Sequence, residues 1–448
     1  MVSTELPPLF TDSGAECNVN GTSIIERLDI SVDIHDNLRP EELNERVALL
    51  FNQIFALDLF VKASQVSVNR LAGGMTNFVF SVAVDPAPMV PADQAHRILR
   101  VPTEKQHREA VRMPHKYLLR VYGTNTEIFN SRDKELFWVK QLSSREIGPQ
   151  IYGIFGNGRL EEFLESTTLT KDDIRNVLTS KQIAQRMCEL HTLVGHHRPF
   201  SEDGEEQNNG DTAAYLSKKP DLWPNIDALM GFMQNNWPEI RSKCDVNAQC
   251  AGILDNWRQV EQAVCRFKTY IEKDVHSPIV FSHNDLLYNN ILRLEGSGEI
   301  VLIDYEFSGY NYRGFDIANH FFTWMYDFSN LENPHILDMA RYPTVEQRHN
   351  FLRAYVLARA TMDADASMVG LDPVQLAEVC TTRLTEDQIR EEVAALDREV
   401  ASFAVVPFLQ WGIFGLLKTC AGDIDIGHVD FFPQRLSWFL SQVANIRW

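Results

Sequence analysis

The sequence predicts an α+β chain of two lobes, a β-rich lobe first and a mainly helical lobe behind it. Three observations carry that expectation. Between residues 65 and 164, short β-rich runs alternate with Gly-, Pro- and Asn-bearing breaks. Beyond residue 170 the apolar residues recur at helical spacing. Within that helical half, residues 278–303 form a separate set of three short apolar runs around an Asp- and Asn-rich loop.

The elements follow in order. Residues 1–38 are polar and irregular and read as a flexible tail. Pro40 to Phe55 reads as a helix, with Pro in its first turn and apolar residues at i, i+3 and i+4. Gln65–Leu71 and Phe78–Val84 read as strands joined by Ala72-Gly73-Gly74-Met75-Thr76-Asn77, and Tyr117–Tyr122 as a third strand after an insertion at 86–115. A helix over Asp133–Leu142 and strands over Gln150–Phe155 and Gly158–Leu164 complete a first lobe of residues 39–164. Residues 165–448 make the second lobe, helical over 183–191, most of 220–275, 345–368, 385–420 and the C-terminal segment. Ser201–Gly210 reads as a solvated acidic loop.

The bulk numbers exclude several classes. With 448 residues the chain can build two or three domains. A formal charge of −19 argues against a nucleic-acid partner, which wants a basic face, and weakly favours cationic ligands. The N-terminus lacks the basic and apolar regions of a signal peptide. The longest apolar stretch, Phe403 to Leu417, contains Pro407 and Gln410 and is too short to span a bilayer. Seven scattered cysteines without a CxxC pair read as reduced thiols. A cytoplasmic protein with no membrane span is the expectation.

Chemistry concentrates at 283–307. His283-Asn284-Asp285-Leu286-Leu287-Tyr288-Asn289-Asn290 lies between apolar runs, and Ile303-Asp304-Tyr305-Glu306-Phe307 follows, Asp304 standing fourteen positions past Asn290. An Asp, an Asn five positions on and a second Asp after a hairpin-length gap are the parts of a phosphoryl-transfer site. One carboxylate receives the hydroxyl proton, while an amide and a second carboxylate hold Mg²⁺ on the nucleotide phosphates. An Asp- and Asn-rich loop alone would read as a turn, but that does not account for the second acidic cluster. Gly73 and Gly74 allow a tight turn whose amides can approach phosphate, although a Gly-Gly turn is usually only a hairpin. No GxxxxGK[ST] occurs, which excludes a standard P-loop.

These residues resemble the choline/ethanolamine kinase family, within the wider aminoglycoside-phosphotransferase and protein-kinase-like fold. The resemblance rests on the loop above, on Asp304 through Phe321 with Trp324–Phe328, and on Leu71–Asn77, Leu118–Gly123 and Gly148–Gly153. It covers roughly residues 40–445. It implies ATP with Mg²⁺ as cofactors, choline or ethanolamine as the acceptor, a bilobal fold with the nucleotide between the lobes, and a homodimer as one option. Asp285 would be the base; Asn290 and Asp304 would ligate the metal, with Glu306 on the same strand face for a second metal or its water. His283 and Asn284 would fix the loop, and Asp316 would accept backbone N–H groups from it. Gly73, Gly74, Met75, Thr76, Asn77 and Arg120 would serve the phosphates. Glu135 would pair with Arg120, Arg100 being a weaker rival. Glu162, Phe163 and Leu164 would offer backbone groups to adenine.

For the cationic head, Trp411 and Phe414 stand at i,i+3 spacing, Phe431 follows, and Phe307 and Phe328 close the wall. Aromatic faces stabilise a quaternary ammonium by about 0.5–2 kcal/mol each. Without the resemblance, such a stripe reads as core. The chain departs from the family pattern by Phe at 307, 328, 414 and 431, and by Thr323 where an acidic residue is expected. A kinase of another hydroxylated amine, aminoglycosides included, and a non-catalytic kinase-fold binding protein are the alternatives. The first would want a carboxylate-lined pocket, and the second would have lost one of Asp285, Asn290 and Asp304.

Overall fold

The computed structural model describes residues 27–28, 31, 38–55, 61–71, 77–91, 110–122, 132–145, 147–196, 219–244, 248–330, 336–362, 384–420 and 431–446. Most of the expected tail, positions 92–109 of the insertion and the 201–210 loop lie outside them, as do Arg100, Gly73, Gly74, Met75 and Thr76. The chain divides into two compact units: residues up to Tyr122 with Ile151–Glu162, and Gly123–Gln150 with Phe163 onward.

Among the described residues, the first unit is a six-stranded sheet backed by one helix. Its strands are β1 (Arg27–Leu28), β2 (Val66–Arg70), β3 (Asn77–Val84), β6 (Lys116–Tyr122), β7 (Ile151–Phe155) and β8 (Gly158–Glu162), in the order β1-β7-β8-β6-β3-β2. Two short strands from the insertion, β4 (Met89–Pro91) and β5 (Ala110–Arg112), pair with each other. Period-two alternation explains the sheet: Phe80, Val82 and Val84 of β3 and Tyr117, Leu119 and Val121 of β6 are buried. Helix α1 (Pro40–Phe55) has Glu41 and Glu42 in its first turn, where they complement the helix dipole, and buries Val47, Leu50, Phe51 and Phe55. Phe51 meets the Tyr117 ring edge-on at 4.8 Å. Burying one such side chain stabilises the unit by about 1.5–3 kcal/mol.

The second unit opens with α2 (Arg132–Ser144), which the sequence reading placed in the first lobe. Its packing explains the change. Trp138 lies against Phe281 at 4.4 Å and Tyr310 at 5.6 Å, and Lys134 bonds Asp221 at 2.6 Å. Then come β9 (Ser166–Thr168), α3 (Val177–His196), α4 (Leu222–Asn235), α5 (Trp237–Cys244), α6 (Ala248–Asp255) and α7 (Trp257–Asp274). Four strands follow: β10 (Ile279–Ser282), β11 (Ile291–Leu294), β12 (Ile300–Leu302) and β13 (Gly309–Tyr312). They make two small sheets, β10 with β13 and β12-β11-β9. Among the described residues the helices that follow are α8 (Arg313–Thr323), α9 (Val345–Met362), α10 (Glu386–Phe403), α11 (Val406–Cys420) and α12 (Phe431–Asn445).

Thr385 and Gln388 close a capping box on α10, at 2.8 and 3.2 Å. Pro407 sits in the first turn of α11, where its missing N–H costs nothing. Residues 386–417 are long and apolar enough to cross a membrane by length and composition, yet most of the stretch is buried in the protein. Core helices of globular proteins have the same character.

Candidate active site

Strand β10 delivers the chain into the 283–290 loop, and β11 carries it away. The β11–β12 hairpin turns through Gly296 and Gly298, at φ +85° and +73°, and returns the chain to Asp304. Ile303 N–H donates to the Asn290 carbonyl at 3.0 Å, so the two ends of the expected motif are in register.

Two non-glycine residues here adopt the left-handed region, Asn284 at φ +65° and Asp304 at φ +67°. Such backbone costs about 1–3 kcal/mol and persists only where the surroundings hold it. For Asn284 the holding groups are all visible. Its N–H donates to Asp316 Oδ1 at 2.7 Å and its carbonyl accepts from Asn319 Nδ2 at 2.8 Å. Its Nδ2 donates to the Phe307 carbonyl at 3.0 Å, and its Oδ1 accepts from Asn311 Nδ2 at 2.9 Å.

His283 is equally constrained. Its N–H donates to Asp316 Oδ2 at 3.0 Å and its Nε2–H to the Ile303 carbonyl at 2.9 Å. Burial lowers its imidazole below the ordinary range, which fits a neutral ring whose Nδ1 accepts the Asp285 N–H at 3.4 Å. Burial acts to raise the Asp316 carboxyl, but the His191 hydrogen bond, with His283 and the Asn284 N–H, holds it below the usual carboxylate range.

Asp285 itself is pushed well above the ordinary aspartate range, first by burial and then by the Glu306, Asp304 and Asp316 carboxylates. The sequence reading put Glu306 beside Asp304 by strand alternation, and that reason fails. The strand ends at Leu302, and Tyr305–Phe307 is a single 3₁₀ turn after the left-handed Asp304. Glu306 is still among the carboxylates that, after burial, raise Asp285.

The donor set suits Mg²⁺. Asn290 Nδ2 donates to the Asp285 carbonyl at 2.9 Å, leaving Oδ1 as its oxygen donor. Among the described residues no three His, Cys, Asp or Glu side chains gather as a self-sufficient metal cage. A small hard ion that keeps waters and takes one or two carboxylates plus phosphate oxygens needs no such cage.

Three of the expected wall aromatics come together. Phe307, Trp411 and Phe414 meet edge-on, with centroids 5.4, 5.8 and 5.4 Å apart. Trp411 Nε1–H donates to Asn319 Oδ1 at 2.8 Å, and Asn319 in turn holds Asn284. The wall and the loop are therefore one hydrogen-bonded assembly. Phe328 stacks on Tyr326 at 5.0 Å and leans on Tyr288, whose hydroxyl accepts the Phe328 N–H at 2.8 Å. Phe431 begins α12, and its side chain lies outside the described residues.

The sequence model of the choline/ethanolamine kinase family matches residues 68–440. The chain belongs to that family. A human choline/ethanolamine kinase is 28% identical over 391 residues, 86% of this chain and 82% of its own length. The rat choline/ethanolamine kinase is 31% identical over 337 residues, 74% of each. Among solved structures, a Plasmodium vivax ethanolamine kinase superposes with a TM-score of 0.62 at 22% identity, covering 91% of this chain and 92% of its own. A choline kinase from Cryptosporidium parvum gives 0.57 at 20%, covering 88% and 95%. At those identities the superpositions speak for the protein-kinase-like fold.

In this family member the other expected site residues are placed as follows. Asn77 opens β3, buried, and Arg120 lies on β6, two strand positions before its end. Within its own unit Arg120 makes an ion pair with Glu161 at 3.5 Å, and within the other Arg132 makes one with Glu135. Glu162 ends β8, and the boundary between the units falls between it and Phe163. The Leu164 carbonyl accepts from Ser166 Oγ at 2.9 Å. Thr323, where an acidic residue was expected, is buried, its hydroxyl donating to the His320 carbonyl at 2.7 Å and facing the Leu286 carbonyl at 3.3 Å. Sequence reasoning missed Asn319, Asn311 and His320, whose spacing on β13 and α8 gave no sign of contact with the loop.

Proposed function

We propose that this chain transfers the terminal phosphoryl group of ATP to the hydroxyl of choline or ethanolamine, the first step in making a phospholipid head group. What supports the reading is one assembly. The 283–290 loop sets Asp285 under the influence of Asp304 and Glu306, and Asn284 ties that loop to Phe307 of the aromatic wall.

Asp285 would take up and orient the acceptor hydroxyl, receiving its proton as the O–P bond forms. Asn290, Asp304 and Glu306 would hold Mg²⁺, which when bound neutralises phosphate charge and the carboxylate repulsion that raises Asp285. Phe307, Trp411 and Phe414, with Phe328 and Phe431, would face the ammonium. That preference for aromatic faces over carboxylates argues against an aminoglycoside acceptor. Asn77, Arg120, the 73–76 turn and Glu135 would serve the nucleotide phosphates, and Glu162–Leu164 the adenine. A cytoplasmic location and a homodimer accompany the reading, the latter checked by light scattering of the purified protein.

The test is ATP consumption with choline, ethanolamine and an aminoglycoside in parallel, with and without Mg²⁺. Turnover on either amino alcohol that stops on chelation is expected. Turnover on the aminoglycoside alone, or on none, overturns the proposal.

A further inference from the structure

Asp316 has a partner that the catalytic loop does not supply. His191 on α3 places Nε2 2.9 Å from Asp316 Oδ2, and the other nitrogen of the ring lies 2.8 Å from the Tyr355 hydroxyl on α9. All three side chains are buried, at 5%, 0% and 1% exposure for His191, Asp316 and Tyr355. The donor logic follows from chemistry. A carboxylate can only accept, so Nε2 carries the hydrogen, and Nδ1 pairs with the Tyr355 hydroxyl. The result is a hydrogen-bonded chain of Tyr355, His191 and Asp316, ending on the carboxylate that receives the His283 and Asn284 N–H groups.

We infer that Tyr355 and His191 are positioning residues for phosphoryl transfer, acting through Asp316 to fix the strained Asn284 backbone and with it the Asp285 carboxylate. Asp316 Oδ2 is shared between the His283 N–H and His191. The imidazole therefore decides how the carboxylate is turned. Without it the carboxylate keeps only the His283 and Asn284 N–H groups, its hold on Asn284 at φ +65° loosens, and the next residue, Asp285, is less firmly placed. A misplacement of about 1 Å at a reacting group costs on the order of a hundredfold in rate. The inference rests on the phosphotransfer reading above.

Tyr355→Phe removes one hydroxyl and keeps the ring, so it tests the outer end of the chain. It is expected to lower kcat about tenfold while KM for ATP and for choline stay within about twofold. His191→Ala is expected to lower kcat about a hundredfold, and His191→Gln, whose amide can still donate to Asp316, to recover most of that loss. Hydrogen exchange without substrate supplies a readout that simple loss of packing does not imitate. The peptide over 279–292 should exchange faster in Tyr355→Phe, while peptides over 222–244 are unchanged. Wild-type kcat in Tyr355→Phe overturns the inference, as does a kcat loss with no change over 279–292, or faster exchange throughout. If the wild-type protein turns over neither alcohol, the proposed function falls, and the exchange data alone still decide whether the chain orders the loop.

Discussion

Asn319 offers the sharpest test of the idea that loop and wall are one assembly. Its Nδ2 donates to the Asn284 carbonyl and its Oδ1 accepts from Trp411, both at 2.8 Å, and the side chain is fully buried. Asn319→Ala removes both bonds at once. Each buried group that loses its partner costs about 1–3 kcal/mol. The expected loss of stability is therefore about 2–5 kcal/mol by urea denaturation, survivable for a domain with about 5–15 kcal/mol in hand. Trp411 also loses the bond that fixes its indole, so KM for the acceptor should rise about tenfold, the scale of one aromatic–cation contact. Asn319→Asp separates the two effects. Its carboxylate still accepts from Trp411 but sets an oxygen against the Asn284 carbonyl, so kcat should suffer more than acceptor KM. If Asn319→Ala shifts the unfolding free energy by less than about 0.5 kcal/mol and leaves acceptor KM unchanged, the coupling described here is wrong.

Further outcomes are expected. Asp285→Asn should cut kcat about 10²–10⁴-fold while ATP still binds by calorimetry; retained turnover would remove Asp285 from the role of base. Trp411→Ala should raise choline KM by about tenfold; an unchanged KM would remove the ring from the acceptor wall. His320 supplies a pH dependence. Burial lowers it from 6.5 to about 4, with Nδ1–H given to the Leu286 carbonyl at 2.8 Å and Nε2 accepting from Trp324 at 3.2 Å. The unfolded chain therefore binds more protons between those pH values. Stability is whole above about pH 6.5 and falls as pH drops towards 4, by about 3 kcal/mol in all. His283, lowered in the same way, acts in the same direction. Urea denaturation at pH 7 and pH 5 checks this, and His320→Gln should flatten the slope. Gly148→Ala should destabilise the second unit, because φ there is +76° and a Cβ would meet Tyr305 Cε2 at 2.9 Å; an unchanged melting temperature would contradict it.

The sequence was most legible where one local pattern decides the outcome. Period-two burial in 78–84 and 117–122, helical spacing in 40–55, and the short runs on either side of Asp285 each give strands and helices within two residues of those observed. The Trp411–Phe414 spacing foretold a shared helix face, and Phe307 joins it from elsewhere. Illegibility begins where a residue's partners are far off in sequence. His191, Asp316 and Tyr355 are linked across 125 and 164 positions, and no periodicity encodes that link. Glu306 was misread because alternation assumes a continuing strand, and a single left-handed residue at Asp304 ends it. The placement of α2 followed chain order, whereas Trp138 follows the apolar surface of β10 and β13.

Helix α8 bears on how such a site can change over time. Asp316 on its first turn holds the loop amides, Asn319 on the next holds Trp411, and His320 holds Leu286. One rod thus sets the distance between Asp285, the proposed base, and the aromatic wall proposed to face the acceptor. Substitutions on the wall, such as the phenylalanines at 307 and 414, can retune the grip without disturbing that distance. A substitution that tilts the helix alters both together. On the proposed reading, acceptor preference would drift one aromatic side chain at a time, while the backbone of α8 is held still by the loop and the wall it joins.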